Sequence, residues 1–357
     1  MKLLKFFLFP FAFIYQAITQ IRNLLYDYQI FKTKITKAFI VSIGNLTVGG
    51  TGKTPHVEYV IEVLLEKFDN QSLATLSRGY RRKTKGIIIA NQQIRNQVIS
   101  ARTIGDEPMQ IFNKFEKKIT VCVGENRVEA VEAMLAYQPS IQVIILDDAY
   151  QHRAIHRNIN ILLTDYYQAF YQDFLLPMGR LRESRRGAKR ADAVIVTKCP
   201  SDITPAQKAS ISAQIKKYIR PQIPIFFSTF AYQPPVPLFE SAHSLSEFKE
   251  RSKLILLTGI AQTSALRTYL ATKYEIIKHF EFADHFAYTT THLKEIINYY
   301  LIESQKYPCY ILTTEKDGVK LLSFQEMLQT YPIFYLPIRV QFLQEEELFR
   351  NFVLSKF

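Results

Sequence analysis

The segment Gly44–Thr54 constrains the fold more than any other part of the chain. It reads GNLTVGGTGKT, follows the apolar run Ala38–Ile43 and precedes a helical pattern over Thr54–Phe68. A glycine-rich turn between a buried strand and a helix presents backbone N–H groups to an anion, and the helix start adds its dipole. The sequence therefore predicts a phosphate-binding loop in an α/β fold.

The side chains of this loop predict a nucleotide site. The expected nucleotide-binding set is Thr47, Val48, Gly49, Gly50, Thr51, Gly52, Lys53 and Thr54. In such loops the lysine reaches the β- and γ-phosphates of ATP, and the hydroxyl that follows it ligates Mg²⁺. The strict pattern GxxxxGK[ST] has glycine where this chain has Thr47, so the loop is a variant. The alternative is a glycine-rich turn in which Gly-Lys-Thr is incidental.

Apolar strand patterns alternate with helical or loop segments along most of the chain. Continuous apolar runs of this kind indicate a mostly parallel sheet covered on both faces, and they lie at 72–76, 119–123, 143–146, 159–163 and 193–197. A second strand–helix series has strand candidates at 254–257, 310–313 and 333–336.

A stretch rich in proline and aromatic residues, 221–237, separates the two series. We therefore expect four parts. They are an N-terminal helix at a membrane interface (1–30), a P-loop NTPase-type core with a mostly parallel sheet (31–220), a connecting ribbon (221–240) and a smaller C-terminal α/β lobe (241–357).

Asp147 and Asp148 follow the apolar run Val143–Leu146. A carboxylate at the C-terminal end of a parallel strand lies beside the phosphate loop and can hold Mg²⁺ directly or through water. We expect Asp147 to be the metal ligand and Asp148 to help place metal or substrate. The alternative is an ordinary polar strand end.

Two further stretches carry candidate catalytic groups. Asp106 opens a helix within GDEP (105–108), where it is either a helix cap or the carboxylate that orients or deprotonates an attacking hydroxyl. His285 follows Asp284 between two strand–helix units. It is either a structural histidine or the partner of a carboxylate across a cleft.

The net charge of +13 favours anionic partners, namely nucleic acid, phosphorylated metabolites or an anionic membrane face. Basic residues cluster at 77–83 and 180–190. Arg78, in the first cluster, is a candidate for gripping a phosphorylated substrate; the alternative is a solvated charged surface. Because no RRM, KH, zinc or helix-turn-helix signature is present, we expect no nucleic-acid partner.

The amino-terminal residues predict contact with a membrane. The stretch 6–21 has no charged residue but contains Pro10, and a spanning helix needs about 20 apolar residues. Lys2 and Lys5 precede it, yet no small-x-small cleavage site of a signal peptide follows. We expect an interfacial helix, with Lys2, Lys5 and Arg22 meeting lipid headgroups. A short spanning anchor and an ordinary packed helix are the alternatives.

Taken together, these motifs resemble those of the tetraacyldisaccharide 4′-kinase family, the lipid A 4′-kinases of Gram-negative bacteria. The motifs, in the family's order, are GNLTVGGTGKTP (44–55), SRGY (77–80), GDEP (105–108), LDDAYQHR (146–153), LPMGRLRE (176–183), LLTGIA (256–261), ADHFAYT (283–289) and TEKDGVK (314–320). The resemblance implies transfer of the γ-phosphate of ATP, with Mg²⁺, to the 4′-hydroxyl of a tetraacyl glucosamine disaccharide 1-phosphate, giving lipid IVA.

The resemblance also implies a P-loop kinase core joined by a two-stranded ribbon to a smaller C-terminal lobe. It implies a bacterial inner-membrane location, peripheral or anchored by the N-terminal helix, with the active site facing the cytoplasm. By match of motif, Asp106, His285 and Lys53 are catalytic, while Thr54, Asp147 and Asp148 bind the metal. Glu183 falls on a further acidic residue near the active site and is, with Arg78, a candidate substrate contact. Phe286 stands where the family often has a second histidine, which removes a possible support for His285.

The alternative function is a P-loop ATPase or GTPase that acts as a switch or metallochaperone without a lipid acceptor. A GTPase normally carries an NKxD motif, and the strand-borne VTKC at 196–199 lacks both the asparagine and the aspartate.

Overall fold

The computed structural model describes residues 2–92, 98–115, 117–239 and 251–357, with side chains from residue 8 onward. The chain begins with the helix α1 (Lys2–Asp27), which contains Pro10. The side chains of Lys2 and Lys5, expected at a membrane surface, lie outside the described residues.

Eight strands follow up to residue 232, counted over the described residues. They are β1 (Phe39–Asn45), β2 (Leu73–Ser77), β3 (Ile88–Ile89), β4 (Ile119–Val123), β5 (Val143–Asp147), β6 (Ile159–Asp165), β7 (Ala193–Thr197) and β8 (Ile225–Tyr232). They form one sheet in the order β8-β7-β6-β1-β5-β2-β4-β3, and the pairs are parallel except β3 with β4. The expected α/β fold with a large, mostly parallel sheet is confirmed.

Helices cover both faces of this sheet. They are α2 (Lys53–Leu64), α3 (Ala101–Ile104), α4 (Asp106–Phe115), α5 (Arg127–Tyr137) and α6 (Pro205–Lys216). Alternate residues of a strand point to opposite faces, so Val41 packs in the same cluster as Ile61 of α2, whereas Ile40 packs with Met134 of α5. α5 begins where the Asn126 side chain accepts hydrogen bonds from the next turn.

The C-terminal lobe has a second, smaller sheet. Its strands are β9 (Val236–Pro237), β10 (Lys253–Thr258), β11 (Glu275–Glu281), β12 (Cys309–Thr314) and β13 (Ile333–Leu336), in the order β11-β10-β12-β13-β9. Only β9 runs antiparallel to its neighbour among these described strands. The helices of this lobe are α7 (Ser264–Ala271), α8 (Thr290–Ser304), α9 (Glu315–Leu321) and α10 (Gln325–Leu328).

The end of the chain returns to the larger sheet. β14 (Ile338–Phe342) pairs antiparallel with β8, and α11 (Glu346–Leu354) places Phe349 against Tyr59 of α2, with ring centroids 5.9 Å apart. The sequence placed 241–357 in one C-terminal lobe and 221–240 in a connecting ribbon. In the structure, β8 is a strand of the core sheet, and 338–357 pack on the core. β8 is followed closely by β9 of the second sheet, and β14 directly follows β13 of that sheet.

α1 lies on the core through polar contacts. The Tyr15 hydroxyl donates to the Arg182 carbonyl oxygen (2.8 Å), Asn23 donates to Glu183 (3.0 Å), and Arg153 pairs with Asp27 (2.7 Å). Its other face exposes apolar side chains, among them Ile14, Ile18 and Ile21. In the part of the chain that the structure describes, no helix combines the length and the apolar character needed to cross a bilayer.

Candidate active site

The glycine-rich loop lies between β1 and α2, as the sequence predicts. Gly52 has φ +78°, and a Cβ there would collide with the ring of Phe230, so this position requires glycine. Asn45 donates to the Thr51 hydroxyl (2.9 Å), and the Thr197 hydroxyl of β7 donates to the Thr51 carbonyl oxygen (3.0 Å). Side chains of two strands, β1 and β7, therefore hold the loop through Thr51.

A buried histidine fixes the start of α2. His56 Nδ1 lies 2.7 Å from the Gly52 carbonyl oxygen, and its Nε2 lies 3.0 Å from the Ser228 hydroxyl. Because a carbonyl oxygen only accepts, Nδ1 donates and Nε2 accepts from Ser228. Burial lowers the pKa of His56 to about 4, so the ring is neutral at physiological pH.

The first part of the loop is held by the LPMGRLRE segment. The Val48 amide donates to the Arg180 carbonyl oxygen (2.8 Å), and the Arg182 amide donates to the Leu46 carbonyl oxygen (2.7 Å). Thr47, the position that departs from the strict pattern, pairs with Leu181 in an isolated β-bridge. The variant loop thus gains a backbone partner at its non-glycine position.

Lys53 and the strand-end carboxylates meet beside the loop. Lys53 Nζ lies 3.8 Å from Asp148 Oδ2 and 3.4 Å from the Gly49 carbonyl oxygen. Arg182 also contacts Asp148, with Nη1 and Oδ1 3.0 Å apart. Burial alone would raise the pKa of Asp148, but Lys53 and Arg182 outweigh it and hold that pKa below its ordinary value. Asp148 is therefore ionised.

The pKa of the neighbouring Asp147 is shifted in the opposite direction. It is buried, and its Oδ1 has no hydrogen-bond partner among the described residues. Burial and the neighbouring charge of Asp148 raise the pKa of Asp147 to about 7. An unpartnered carboxylate oxygen beside a second carboxylate fits a divalent cation that prefers oxygen ligands.

Arg127 is a buried cation that the sequence did not single out. It opens α5 and donates from Nη1 to the Glu125 carbonyl oxygen (3.4 Å). Burial lowers its pKa to about 10, while the charge of Asp147 opposes that shift and Arg78 adds to it. The charges of Asp147 and Arg78 therefore both act on this guanidinium, in opposite directions.

Asp106 and His285 meet across the two lobes. Asp106 is the first residue of α4 in the core, and His285 lies between β11 and α8 in the C-terminal lobe. His285 Nδ1 is 3.2 Å from Asp106 Oδ2. Burial alone would raise the pKa of Asp106, but the hydrogen bond from His285 and the charges of Lys320 and Lys316 hold it below its ordinary value.

Two lysines of α9 complete this cluster, and the sequence assigned them no role. Lys316 Nζ lies 3.2 Å from Glu107 Oε1 and 3.2 Å from His285 Nε2, and Lys320 Nζ lies 3.7 Å from Asp106 Oδ2. The signal available in the sequence is their spacing, since residues four apart share one face of a helix. Gly105, directly before Asp106, packs against Gly79 just after the C-terminal end of β2, and β2 is the neighbour of β5 in the sheet. This cluster therefore lies at the same edge of the sheet as Asp147.

The remaining expected site residues differ in their surroundings. Arg78 follows β2 and is exposed. Glu183 is buried, and it accepts hydrogen bonds from Asn23 (3.0 Å), Gln151 (3.2 Å) and Arg190 (2.7 Å). Its contacts are thus with the protein, including one to α1.

A phosphate loop on a parallel sheet, with strand-end carboxylates and a carboxylate–imidazole pair in the same region, defines a P-loop kinase. Over residues 4–357 the sequence matches the family model LpxK, described as tetraacyldisaccharide-1-P 4′-kinase. The chain belongs to this family.

Named relatives and a solved structure agree with this assignment. A tetraacyldisaccharide 4′-kinase of Phocaeicola vulgatus is 40% identical over 352 residues, which is 96% of this chain and 93% of that protein. One of Flavobacterium psychrophilum is 38% identical over 355 residues, or 99% and 97%. The crystal structure described as the "apo" form of LpxK from Aquifex aeolicus in complex with ATP has 28% identity and a TM-score of 0.74, and 99% of each chain is covered.

Proposed function

We propose that the chain transfers the γ-phosphate of ATP to the 4′-hydroxyl of a tetraacyl glucosamine disaccharide 1-phosphate, producing lipid IVA for lipid A biosynthesis. The observation that carries this proposal is the Asp106–His285 pair, 3.2 Å apart, in the region of the phosphate loop. A switch ATPase needs the loop and a metal site, but it needs no base for an alcohol acceptor.

The nucleotide binds along Thr47–Thr54, with backbone amides and Lys53 on its phosphates. Thr54, Asp147 and Asp148 would hold Mg²⁺. When bound, Mg²⁺ neutralises charge on the phosphates. In the described residues no group of three or more His, Cys, Asp or Glu side chains is arranged to hold a metal alone. The cation is therefore expected to bind together with the nucleotide.

The acceptor hydroxyl faces Asp106, which takes its proton. The hydroxyl oxygen then forms a bond to the γ-phosphorus, the bond from that phosphorus to the β–γ bridging oxygen breaks, and ADP leaves. Asp106 can act in this way because its lowered pKa keeps it ionised at neutral pH. Lys53 stabilises the charge that develops on the transferred group.

The substrate headgroup is held from the core. Exposed Arg78 is suited to grip the 1-phosphate of the disaccharide, since guanidinium groups bind phosphate oxygens in pairs. The contribution of Glu183 to substrate binding is indirect: it holds Asn23 of α1 and Gln151 in position.

The acyl chains require a lipid surface, and α1 supplies the contact. Ile14, Ile18 and Ile21 are 56–60% exposed and share one helical face. Such a face is suited to lie in a membrane interface. We place the protein peripherally on the inner membrane, with the active site facing the cytoplasm, where ATP is available.

The direct test is incubation of the full chain with γ-labelled ATP, Mg²⁺ and the disaccharide 1-phosphate lipid. A labelled bisphosphorylated lipid is the expected product. Hydrolysis of ATP at the same rate with and without the lipid, and no labelled lipid, would instead identify a switch ATPase.

A further inference from the structure

The TEKDGVK motif at 314–320 opens α9 and directs two lysines at the Asp106–His285 pair. Lys316 Nζ lies 3.2 Å from three acceptor atoms: His285 Nε2, Glu107 Oε1 and Asp284 Oδ1. Its side chain is 21% exposed. A lysine in this position joins the C-terminal lobe to α4 of the core.

The contact between Lys316 and His285 has one consistent arrangement of protons. Burial alone would lower the pKa of Lys316, but the charges of Glu107 and Asp284 outweigh it and keep that pKa above its ordinary value. Lys316 is therefore an ammonium, which has donors and no acceptor. Nε2 of His285 must then accept, because an N–H there would place two donors face to face.

The ring proton then lies on Nδ1, which is 3.2 Å from Asp106 Oδ2. We propose that Lys316 is a positioning residue that fixes His285 as the Nδ1–H tautomer. His285 thereby donates to Asp106, and Asp106 remains the ionised group that takes the proton of the acceptor hydroxyl. The other tautomer would set a ring lone pair against the carboxylate and an N–H against the ammonium.

Lys320 supports the same arrangement from the next helical turn. Its Nζ lies 2.8 Å from Asp317 Oδ1 and 3.7 Å from Asp106 Oδ2. Asp317 is completely buried, and its Oδ2 accepts from the Gly259 amide (2.8 Å) and the Thr314 hydroxyl (2.7 Å). Lys320 is therefore held beside Asp106 by a buried carboxylate that is itself hydrogen-bonded.

This arrangement decides the path of the proton. Since Nε2 is occupied by Lys316, His285 orients Asp106 and does not pass the proton onward. The ionisable groups that face the ring are Asp106 and Glu107 from α4, Lys316 from α9, the adjacent Asp284, and Tyr80, whose ring centroid is 5.3 Å away. Among these groups Lys316 is the cation in contact with Nε2.

The test compares Lys316→Met, which removes the ammonium, with Lys316→Arg, which keeps a charged donor. Because Nε2 loses its cation in Lys316→Met, the Nε2–H tautomer is no longer opposed, and in that tautomer the ring turns a lone pair instead of a donor toward Asp106. Since a hydrogen bond to a charged group contributes about 1.5–3 kcal/mol, we expect kcat at pH 7 to fall about 10-fold in Lys316→Met with KM for ATP nearly unchanged. Lys316→Arg, which keeps the charged donor, should keep the wild-type kcat. Lys294→Met, at an exposed position of α8, is the matched control and keeps the wild-type kcat.

A second measurement reads the tautomer without activity. Nitrogen-15 NMR of the full chain labelled at histidine, with the His285 signals assigned by their loss in His285→Gln, should show a protonated Nδ1 and an unprotonated Nε2 in the wild type at pH 7. An Nε2–H tautomer in the wild type would overturn the inference. So would a Lys316→Met protein in which His285 still shows the Nδ1–H tautomer alone, because the lysine would then be purely structural.

The inference rests on the proposed role of Asp106 as the base, and the two can fail separately. Absence of labelled lipid product from the wild type would reject the kinase proposal. The NMR spectrum would still decide the tautomer of His285.

Discussion

Arg182 forms a bidentate ion pair with Asp148, in which Nη1 lies 3.0 Å from Oδ1 and Nη2 lies 3.1 Å from Oδ2. The same guanidinium donates from Nε to the Thr47 carbonyl oxygen (3.1 Å) and from Nη2 to Asn45 Oδ1 (3.2 Å). One side chain therefore joins the acidic end of β5 to the start of the phosphate loop.

Replacement of Arg182 by lysine should separate the charge of this residue from its geometry. Lysine keeps the positive charge but donates from a single point, so the paired contact and the bond to Thr47 are lost. Hydrogen bonds to charged groups contribute about 1.5–3 kcal/mol each, so kcat/KM for ATP should fall roughly 10- to 100-fold. Steady-state kinetics at saturating lipid measure this. Arg180→Lys, at a residue that pairs with Asp173 outside the loop, is the control. An Arg182→Lys enzyme with wild-type kcat/KM would show that the paired geometry is dispensable.

Asp106→Asn tests the base. Asparagine keeps the size of the side chain and can still accept from His285, but it cannot take a proton from the acceptor hydroxyl. We expect kcat to fall by about 10²–10⁴, the range for loss of a general base, with KM for ATP nearly unchanged. Asp69→Asn, in an exposed turn, should have wild-type kcat. Near-normal turnover of Asp106→Asn would remove this carboxylate from the reaction.

The core of the fold could be predicted from the sequence because each of its strands is marked by a local run of apolar residues. β4 spans the predicted 119–123, and β7 spans the predicted 193–197, since strands buried on both faces are continuous apolar runs. β14 is different. Its alternation over Ile338–Phe342 is short, and its partner β8 is about a hundred residues away, so only the folded chain shows that this segment belongs to the core.

The candidate site likewise has one part that the sequence predicts and another that only the folded chain shows. Lys53, Asp147 and Asp148 follow neighbouring parallel strands, and topology alone brings such positions to one edge of a sheet. The contact between Asp106 and His285 spans two lobes, and its prediction rested on family resemblance. The paired contact of Arg182 with Asp148 and the contact of Lys316 with His285 depend on side-chain directions, which spacing in the sequence does not specify.

Asp147 should make stability depend on pH in the absence of metal and nucleotide. Its pKa is raised to about 7 from an ordinary value of 3.8, so the folded state favours the protonated form. Its contribution to stability is complete below the unfolded-state pKa and is lost as the pH rises through about 7. The melting temperature should therefore decline between pH 5 and pH 8 more steeply in the wild type than in Asp147→Asn. Since Glu315 also has a raised pKa, about 7, the difference between the two proteins is the quantity to measure. Equal slopes would mean that Asp147 is ionised throughout.

Glu183→Ala should destabilise the protein. It leaves Arg190, whose side chain is 17% exposed, without its carboxylate partner, and breaking a buried ion pair costs about 3–5 kcal/mol. The midpoint of urea unfolding should fall accordingly. Glu183→Gln keeps acceptor capacity and should lose less. A raised KM for the lipid in Glu183→Gln with an unchanged unfolding midpoint would instead indicate direct contact with substrate.

The exposed face of α1 should control membrane binding separately from catalysis. Replacing Ile14, Ile18 and Ile21 by serine removes apolar area that can enter a lipid interface, and each buried isoleucine side chain is worth about 1.5–3 kcal/mol. Because these residues point away from the core, the triple variant should keep its kinase activity on detergent-dispersed lipid. Its partition onto phospholipid vesicles, measured by co-sedimentation, should fall at least about 10-fold even if burial in the interface is partial. The matched control replaces three exposed apolar residues outside α1, namely Leu301, Ile302 and Leu348. If both triple variants bind vesicles equally well, α1 is a packing helix and another surface contacts the membrane.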